Sequence, residues 1–297
     1  MHTDKISGYT IQDSVLSLTI SQKIQRFALR VLCRVLPYAG VNVALYHFTK
    51  VRKRSVYAAS NLPGLVSTKK IPYRKGHLVT YSWGNSKKIV YLVHGWESNT
   101  GRMISFISPL VDRGFKVVAF DMPSHGHSTQ QATHLRDFSL ALKTVITTYG
   151  QPFGILAHSF GGTATVIMIS EKKELAPKKL CLISPMKSLE SHLNVFNTIA
   201  GLSEPIMKKL LCKLRNHYGL NSEETDITQL IQEVSIPGLL IHDEDDGLIS
   251  IETAKSLANS WQGVRFVKSK NLGHRKILQD PKIVQEVTSY LAQDIIA

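Results

Sequence analysis

The stretch Gly154-Ile155-Leu156-Ala157-His158-Ser159-Phe160-Gly161-Gly162 constrains this chain more than any other. It opens as a short apolar run with the character of a buried strand, and from Thr163 to Ser170 the pattern becomes helical. A strand that turns into a helix within so few residues needs small neighbours at the corner. Such a turn lifts the Ser159 hydroxyl clear of the sheet. The helix starting just after it aims its first N–H groups, and the positive end of its dipole, at the same place. That is a nucleophile's setting. Alone, the stretch is also compatible with an ordinary strand-to-helix turn, so the rest of the chain decides.

The rest of the chain repeats the same grammar. After two β-like segments, Leu65 to Ile71 and Gly76 to Trp83, read as an antiparallel opening, apolar strands alternate with amphipathic helices. The strands are expected at 89–93, 115–120, 153–157, 180–184, 238–242 and 264–268. The helices are expected at 102–111, 135–148, 251–260 and 282–295. Continuous apolar strands of this kind predict an α/β fold whose mostly parallel sheet is buried on both faces. The alternation breaks between 186 and 234, where helices are expected at 189–200, 205–218 and 225–234. An insertion there lies beside the carboxyl ends of the strands, where open α/β sheets bind ligands, and is read as a helical lid. Residues 55–297 are thus expected to form one domain with this insertion, preceded by an N-terminal helical segment over residues 1–54.

In that segment Lys23, Arg26, Arg30 and Arg34 recur at steps of three and four, with Ile24, Phe27, Ala28, Val31, Leu32 and Val35 on the remaining faces. This predicts a basic amphipathic helix from Gln22 to Leu36, ended by Pro37. A second apolar stretch, Tyr38 to Phe48, leads to the cluster Lys50-Val51-Arg52-Lys53-Arg54. Residues 22–54 are open to two readings: peripheral contact with an anionic membrane surface, or a helical pair packed on the main domain. The packed pair is preferred.

The 297 residues carry 36 lysines and arginines against 22 aspartates and glutamates, a net charge of +14. Such an excess invites a nucleic-acid partner, but no nucleic-acid-binding motif is present and the basic residues read as dispersed, so none is expected. Three widely spaced cysteines, Cys33, Cys181 and Cys212, read as buried thiols in a reducing, cytoplasmic compartment rather than as a disulfide framework. The first twenty residues contain Asp4 and Asp13 and lack a secretory pattern. No run reaches the roughly 18 uncharged apolar residues that span a bilayer.

Three further stretches stand just past strands, as Ser159 does. His94-Gly95-Trp96 follows the 89–93 strand, and its glycine permits close backbone approach to a nucleophile. Asp243-Glu244-Asp245-Asp246-Gly247 follows the 238–242 strand; a carboxylate there can orient an imidazole, and a solvated turn or a divalent-cation loop is the alternative. Asn271-Leu272-Gly273-His274 follows the last strand. The order is serine, then aspartate, then histidine. His125, His127 and His158 lie near this region without the spacing of a metal cage, and are read as hydrogen-bonding or pocket residues.

These stretches, with Asp121-Met122-Pro123-Ser124-His125-Gly126-His127-Ser128, make the span from about Ser86 to the C-terminus resemble the α/β-hydrolase fold family, particularly its bacterial esterase-like and lysophospholipase-like members. The resemblance implies Ser159 as nucleophile, His274 as general base then acid, Asp246 as the orienting carboxylate, and the N–H groups of Trp96 and Phe160 as an oxyanion hole. It implies hydrolysis of a small-molecule or lipid-like carboxylic ester through an acyl-enzyme, with no cofactor and no metal. Thioesterase, peptidase or perhydrolase activity on the same triad, and a non-catalytic binding protein on the same fold, are the alternatives. The chain departs from the family pattern at Ala157, Ser124, Asp243 and Ser250. Asp243 stands where the family has glycine, which leaves a second carboxylate beside Asp246.

Overall fold

The structure, a computed structural model, describes residues 19–52, 54–57 and 62–293. Two helices come first, α1 (Ile20–Val35) and α2 (Pro37–Thr49), then the strands β1 (Ser67–Tyr73), β2 (Gly76–Trp83) and β3 (Ile89–Val93). The alternation runs through α3 (Ile107–Asp112), β4 (Lys116–Phe120), α4 (Leu135–Tyr149), β5 (Pro152–His158), α5 (Phe160–Glu171) and β6 (Lys179–Ile183). The helices α6 (Leu189–Ala200), α7 (Glu204–Tyr218) and α8 (Ile227–Leu230) interrupt it. It resumes with β7 (Gly238–Asp243), α9 (Ile251–Ser260), β8 (Arg265–Ser269), α10 (Gly273–Lys276) and α11 (Pro281–Ala292).

The eight strands form one sheet in the order β1-β2-β4-β3-β5-β6-β7-β8. β2 pairs antiparallel with β1 and β4, and every other pairing is parallel. The sequence pattern explains the layers. β3, β6 and β7 are buried at every position because helices cover both faces. One face packs Tyr91, Val93, Ile155, Leu182 and Leu240 against α2, α4, α5 and α9. The other packs Val90, Leu92, Leu156, Cys181 and Ile241 against α3 and α11. β8 lies at the sheet edge and is half exposed, with Arg265 and Lys268 pointing outward, charges that blunt edge-to-edge pairing.

The structure departs from the expected elements where local chemistry intervenes. The helix expected over 102–111 is a 3₁₀ turn, Thr100–Phe106, followed by α3. Pro109 lacks an N–H and is tolerated only in the first turn of an α-helix, so a new helix starts at Ile107. The helix expected over 225–234 is broken in the same way, because the Asp226 side chain caps the Thr228 N–H at 2.9 Å and restarts the chain as α8. α11 ends at Ala292; residues 294–297 lie outside the described residues. Cys33 and Cys181 are buried, but Cys212 is exposed, correcting the expectation of three buried thiols. α7 buries Ile206, Leu210 and Leu214 on one stripe, and Cys212 falls on the opposite side.

α1 opens on a capping box, in which Thr19 Oγ1 accepts from Gln22 N–H (3.3 Å) and Gln22 Oε1 from Thr19 N–H (2.9 Å). It approaches α2 so closely that a Cβ on Gly40 would lie 2.6 Å from Cys33 Cα and Sγ. α2 buries Val41, Ala44, Leu45 and Phe48, whereas α1 buries Cys33 alone. α1 and α2 thus pack on each other, yet among the described residues the larger apolar face of α1 takes no part in the packing. Of the cluster 50–54, Arg52 pairs with Glu97 at 3.0 Å and Arg54 donates to the Gly126 and Ser128 carbonyls. These two cations are engaged by loops of the main sheet while both residues stay exposed. Lys53 and residues 1–18 lie outside the described residues.

Candidate active site

Ser159 sits at the end of β5 with φ 54° and ψ −126°, a backbone conformation that a side chain makes costly. Its N–H donates to the Ile183 carbonyl (3.0 Å) and its carbonyl accepts from Gly162 N–H (2.9 Å), so the corner is pinned on both sides. The two neighbouring glycines are required by close approach. A Cβ on Gly161 would lie 2.4 Å from the His94 carbonyl oxygen, and one on Gly95 would lie 2.9 Å from Ser159 Cβ. The loop after β3 is thereby brought against the serine.

His274 lies in the single turn α10, and its Nε2 is 3.0 Å from Ser159 Oγ. Its Nδ1 is 2.7 Å from Asp246 Oδ2. An ionised carboxylate only accepts, so the network assigns the proton to Nδ1 and leaves Nε2 to accept from the serine hydroxyl. The Asp246 side chain is fully buried, and its other oxygen accepts from the N–H groups of Leu248 (2.9 Å) and Ile249 (3.0 Å). Burial pushes the Asp246 carboxyl up, but the hydrogen bond and charge of His274, with the Ile249 N–H, outweigh it and hold the group at about 2. The three residues expected from sequence to act together are therefore adjacent in space, with Ser159 5% exposed and the His274 side chain 12% exposed.

Asp243 has a different position. Its Oδ1 accepts from Asp245 N–H (3.0 Å) and Gly273 N–H (2.9 Å), and its Oδ2 from Ser269 Oγ–H (2.7 Å) and Leu272 N–H (3.1 Å). It ties the end of β7 to the turn that delivers His274. Two histidines brace the same region. His158 donates from Nε2 to the His274 carbonyl (3.0 Å), and His242 donates from Nε2 to the Ile249 carbonyl (2.8 Å). Burial lowers both, so both are neutral.

The loops on the opposite side of Ser159 are held by two more neutral histidines. His94 donates from Nδ1 to the Gly95 carbonyl (2.7 Å) and accepts at Nε2 from Met122 N–H (3.0 Å). His125 donates to the Pro123 carbonyl and accepts from Glu97 N–H, both at 2.9 Å; burial takes it down to about 3. Asp121 accepts from Tyr81 Oη–H (3.0 Å), Thr100 N–H (3.0 Å) and His127 N–H (2.9 Å), so its stretch is a brace between loops. Trp96 and Phe160 are in ring contact at 5.4 Å. As the first residue of α5, Phe160 carries one of the N–H groups without an intrahelical partner.

Sequence reasoning missed His192 on α6. Its ring contacts Phe160 (4.5 Å), Trp96 (4.9 Å) and Phe48 (4.8 Å), closing the site from the side of the insertion. Only its place on the buried face of an amphipathic helix signals it in the sequence. Among the described residues no group of three or more His, Cys, Asp or Glu side chains is placed to hold a metal ion.

Comparison with known proteins gives the class that this fold and site define. Residues 84–226 match the hydrolase family described as serine aminopeptidase, S33. The human serine hydrolase-like protein is 31% identical over 140 residues, 45% of this chain and 68% of that protein. The chain belongs to the α/β-hydrolase family of serine hydrolases. A pimeloyl-[acyl-carrier protein] methyl ester esterase of Neisseria meningitidis is 25% identical over 161 residues, 54% of this chain and 59% of that protein. The match therefore spans less than two thirds of the esterase's length. Among solved structures, a membrane phospholipase A described as a bacterial virulence factor shares the fold with TM-score 0.61 at 17% identity, over 90% of this chain and 97% of that one.

Proposed function

We propose that this chain is a carboxylic ester hydrolase working through an acyl-enzyme. The observation that carries the reading is the continuous path Ser159 Oγ, His274 Nε2, His274 Nδ1, Asp246 Oδ2, with steps of 3.0 and 2.7 Å at its two hydrogen bonds. His274 takes the hydroxyl proton as Ser159 Oγ attacks the ester carbonyl carbon. The N–H groups of Trp96 and Phe160 receive the oxyanion. Asp246, ionised and buried, keeps the imidazole in the required tautomer and stabilises its protonated form. His274 then protonates the departing alcohol. A water deprotonated by the same imidazole attacks the acyl carbonyl, and Ser159 leaves with the acid released.

The aromatic surroundings, Phe160, Trp96, Phe138 and Phe48, favour an apolar acyl group, and the Neisseria relative acts on an acyl methyl ester. α6 to α8 act as the lid over that group. The buried thiols Cys33 and Cys181 support a cytoplasmic site of action. The test is turnover of nitrophenyl esters of increasing acyl length by the wild type and Ser159→Ala. The variant is expected to lose on the order of 10⁴- to 10⁶-fold in kcat, with the chain-length optimum sizing the pocket. Equal turnover by both proteins would refute the assignment.

A further inference from the structure

α1 carries an apolar stripe that the described residues leave uncovered. Ile20, Ile24, Phe27, Val31 and Val35 recur at steps of four, three, four and four, which places them on one helix face. They are 79%, 63%, 70%, 44% and 69% exposed. The opposite face, with Leu29 and Cys33, rests on α2, and Arg26 reaches the Thr198 carbonyl of α6 (3.4 Å). Lys23, Arg30 and Arg34 line one border of the stripe, all exposed. The basic residues are spread along the chain, but the excess of positive charge is carried by the part of the sequence that contains this helix. Residues 14–96 hold fourteen lysines and arginines and no aspartate or glutamate, while the remainder holds 22 of each sign.

We infer that this face of α1 docks in the interfacial plane of an anionic bilayer, with the stripe among the acyl chains and the three cations at the headgroups. A helix with a strongly segregated apolar face, low overall hydropathy and cations beside the stripe lies in such an interface rather than crossing it. Among the described residues no helix is long and apolar enough to cross a membrane. Charge selects a bilayer over a second copy of this chain. Two copies meeting stripe to stripe would bring Lys23, Arg30 and Arg34 against like charges, with no acidic residue on α1 or α2 to offset them. Docking is independent of the Ser159 assignment. It places the contact beside α6, whose His192 touches Trp96 and Phe160, and so sets the lid side of the site toward the lipid.

The test is co-sedimentation of the full chain with phosphatidylcholine vesicles, with and without phosphatidylglycerol, at low and high salt. The wild type is expected to bind the anionic vesicles more tightly, on the order of a hundredfold at low salt from three cations near the surface, and to lose that preference at high salt. Ile24→Asp with Phe27→Asp is expected to abolish binding, and Lys23→Ser, Arg30→Ser and Arg34→Ser together to remove the phosphatidylglycerol preference. An unchanged thermal midpoint in each variant shows that the fold survives these exposed substitutions. Ser159→Ala is expected to bind as the wild type does, so a failed active-site assignment leaves this result standing. A wild type that ignores anionic vesicles at low salt would overturn the inference, as would an Ile24→Asp, Phe27→Asp protein that binds undiminished. A wild-type dimer that those two substitutions render monomeric, without vesicle binding, would assign the stripe to a second copy.

Discussion

Asp243, the last residue of β7, and Asp246, three residues on, are both buried, and only Asp246 touches the His274 imidazole, at 2.7 Å. Asp243 instead accepts four hydrogen bonds, three of them from the backbone N–H groups of Asp245, Leu272 and Gly273. The two carboxylates therefore divide the work: one faces the imidazole, the other builds the turn that carries it.

That division predicts opposite signatures for two similar substitutions. Asp246→Asn is expected to keep the thermal midpoint near that of the wild type and to lower kcat by about 10⁴-fold, because the amide favours the wrong imidazole tautomer. Asp243→Asn presents an N–H₂ to groups that are themselves donors, and is expected to cost roughly 2–4 kcal/mol of stability. Denaturant unfolding beside ester kinetics separates the two. Equal kinetic losses without any loss of stability at position 243 would contradict the division.

His158 is a positioning residue. From one residue before Ser159, the proposed nucleophile, its Nε2–H donates to the His274 carbonyl at 3.0 Å. His158→Ala is expected to lower kcat by about ten- to a hundredfold while leaving KM nearly unchanged, because the displaced group is the imidazole and not the substrate pocket. A rise in KM at constant kcat would instead place His158 in the pocket.

Gly161 leaves no room for a side chain, since its Cβ would lie 2.4 Å from the His94 carbonyl oxygen. Gly161→Ala must push the loop after β3 away from Ser159. The expected result is a loss of roughly 1–3 kcal/mol in stability together with a large loss of kcat. Wild-type turnover in a stable Gly161→Ala protein would show that the loop's closeness to Ser159 is immaterial.

Acid sensitivity follows from the histidines. His94, His125, His134, His158, His192 and His242 are all lowered, burial being the largest cause, with His125, His134 and His192 at about 3. Unfolded, each takes up a proton near pH 6.5, so below about pH 6.5 the unfolded chain binds more protons than the native one. Stability is then full above that pH and falls with acidification by roughly 1.4 kcal/mol per pH unit per histidine. Asp246 acts in a lower window, its contribution being lost from about pH 4 down to about 2. A thermal midpoint steady from about pH 8 to 7 and falling steeply from about 6.5 to 5 is expected. A flat profile down to about pH 5 would contradict the burial of these histidines as neutral bases.

The sheet was readable in the sequence because apolar runs such as Ile89 to Val93 and Gly238 to His242 are unbroken, as strands covered on both faces must be. That Ser159, His274 and Asp246 come together is expected from the resemblance to the α/β-hydrolase family, and the structure brings the three side chains within hydrogen-bond distance. What escaped was set by contacts distant in sequence. The place of Asp243, which accepts from Ser269, Leu272 and Gly273, depends on how the turn at 269–273 folds back. His192 is marked by nothing local, and α1 is equally amphipathic whether its apolar stripe faces inward or outward. Arg52 and Arg54 read as part of a basic patch, because Glu97 and the Gly126 carbonyl lie far along the chain.

The central claim is that Ser159 is a nucleophile activated by His274, and the most direct measurement is active-site labelling. The folded protein is treated with a fluorophosphonate and the modified peptide is identified by mass spectrometry. One adduct per chain on Ser159, absent from Ser159→Ala and slowed by several orders of magnitude in His274→Ala, is the predicted result. A wild type that stays unlabelled, or a label on another residue that persists in Ser159→Ala, would contradict it.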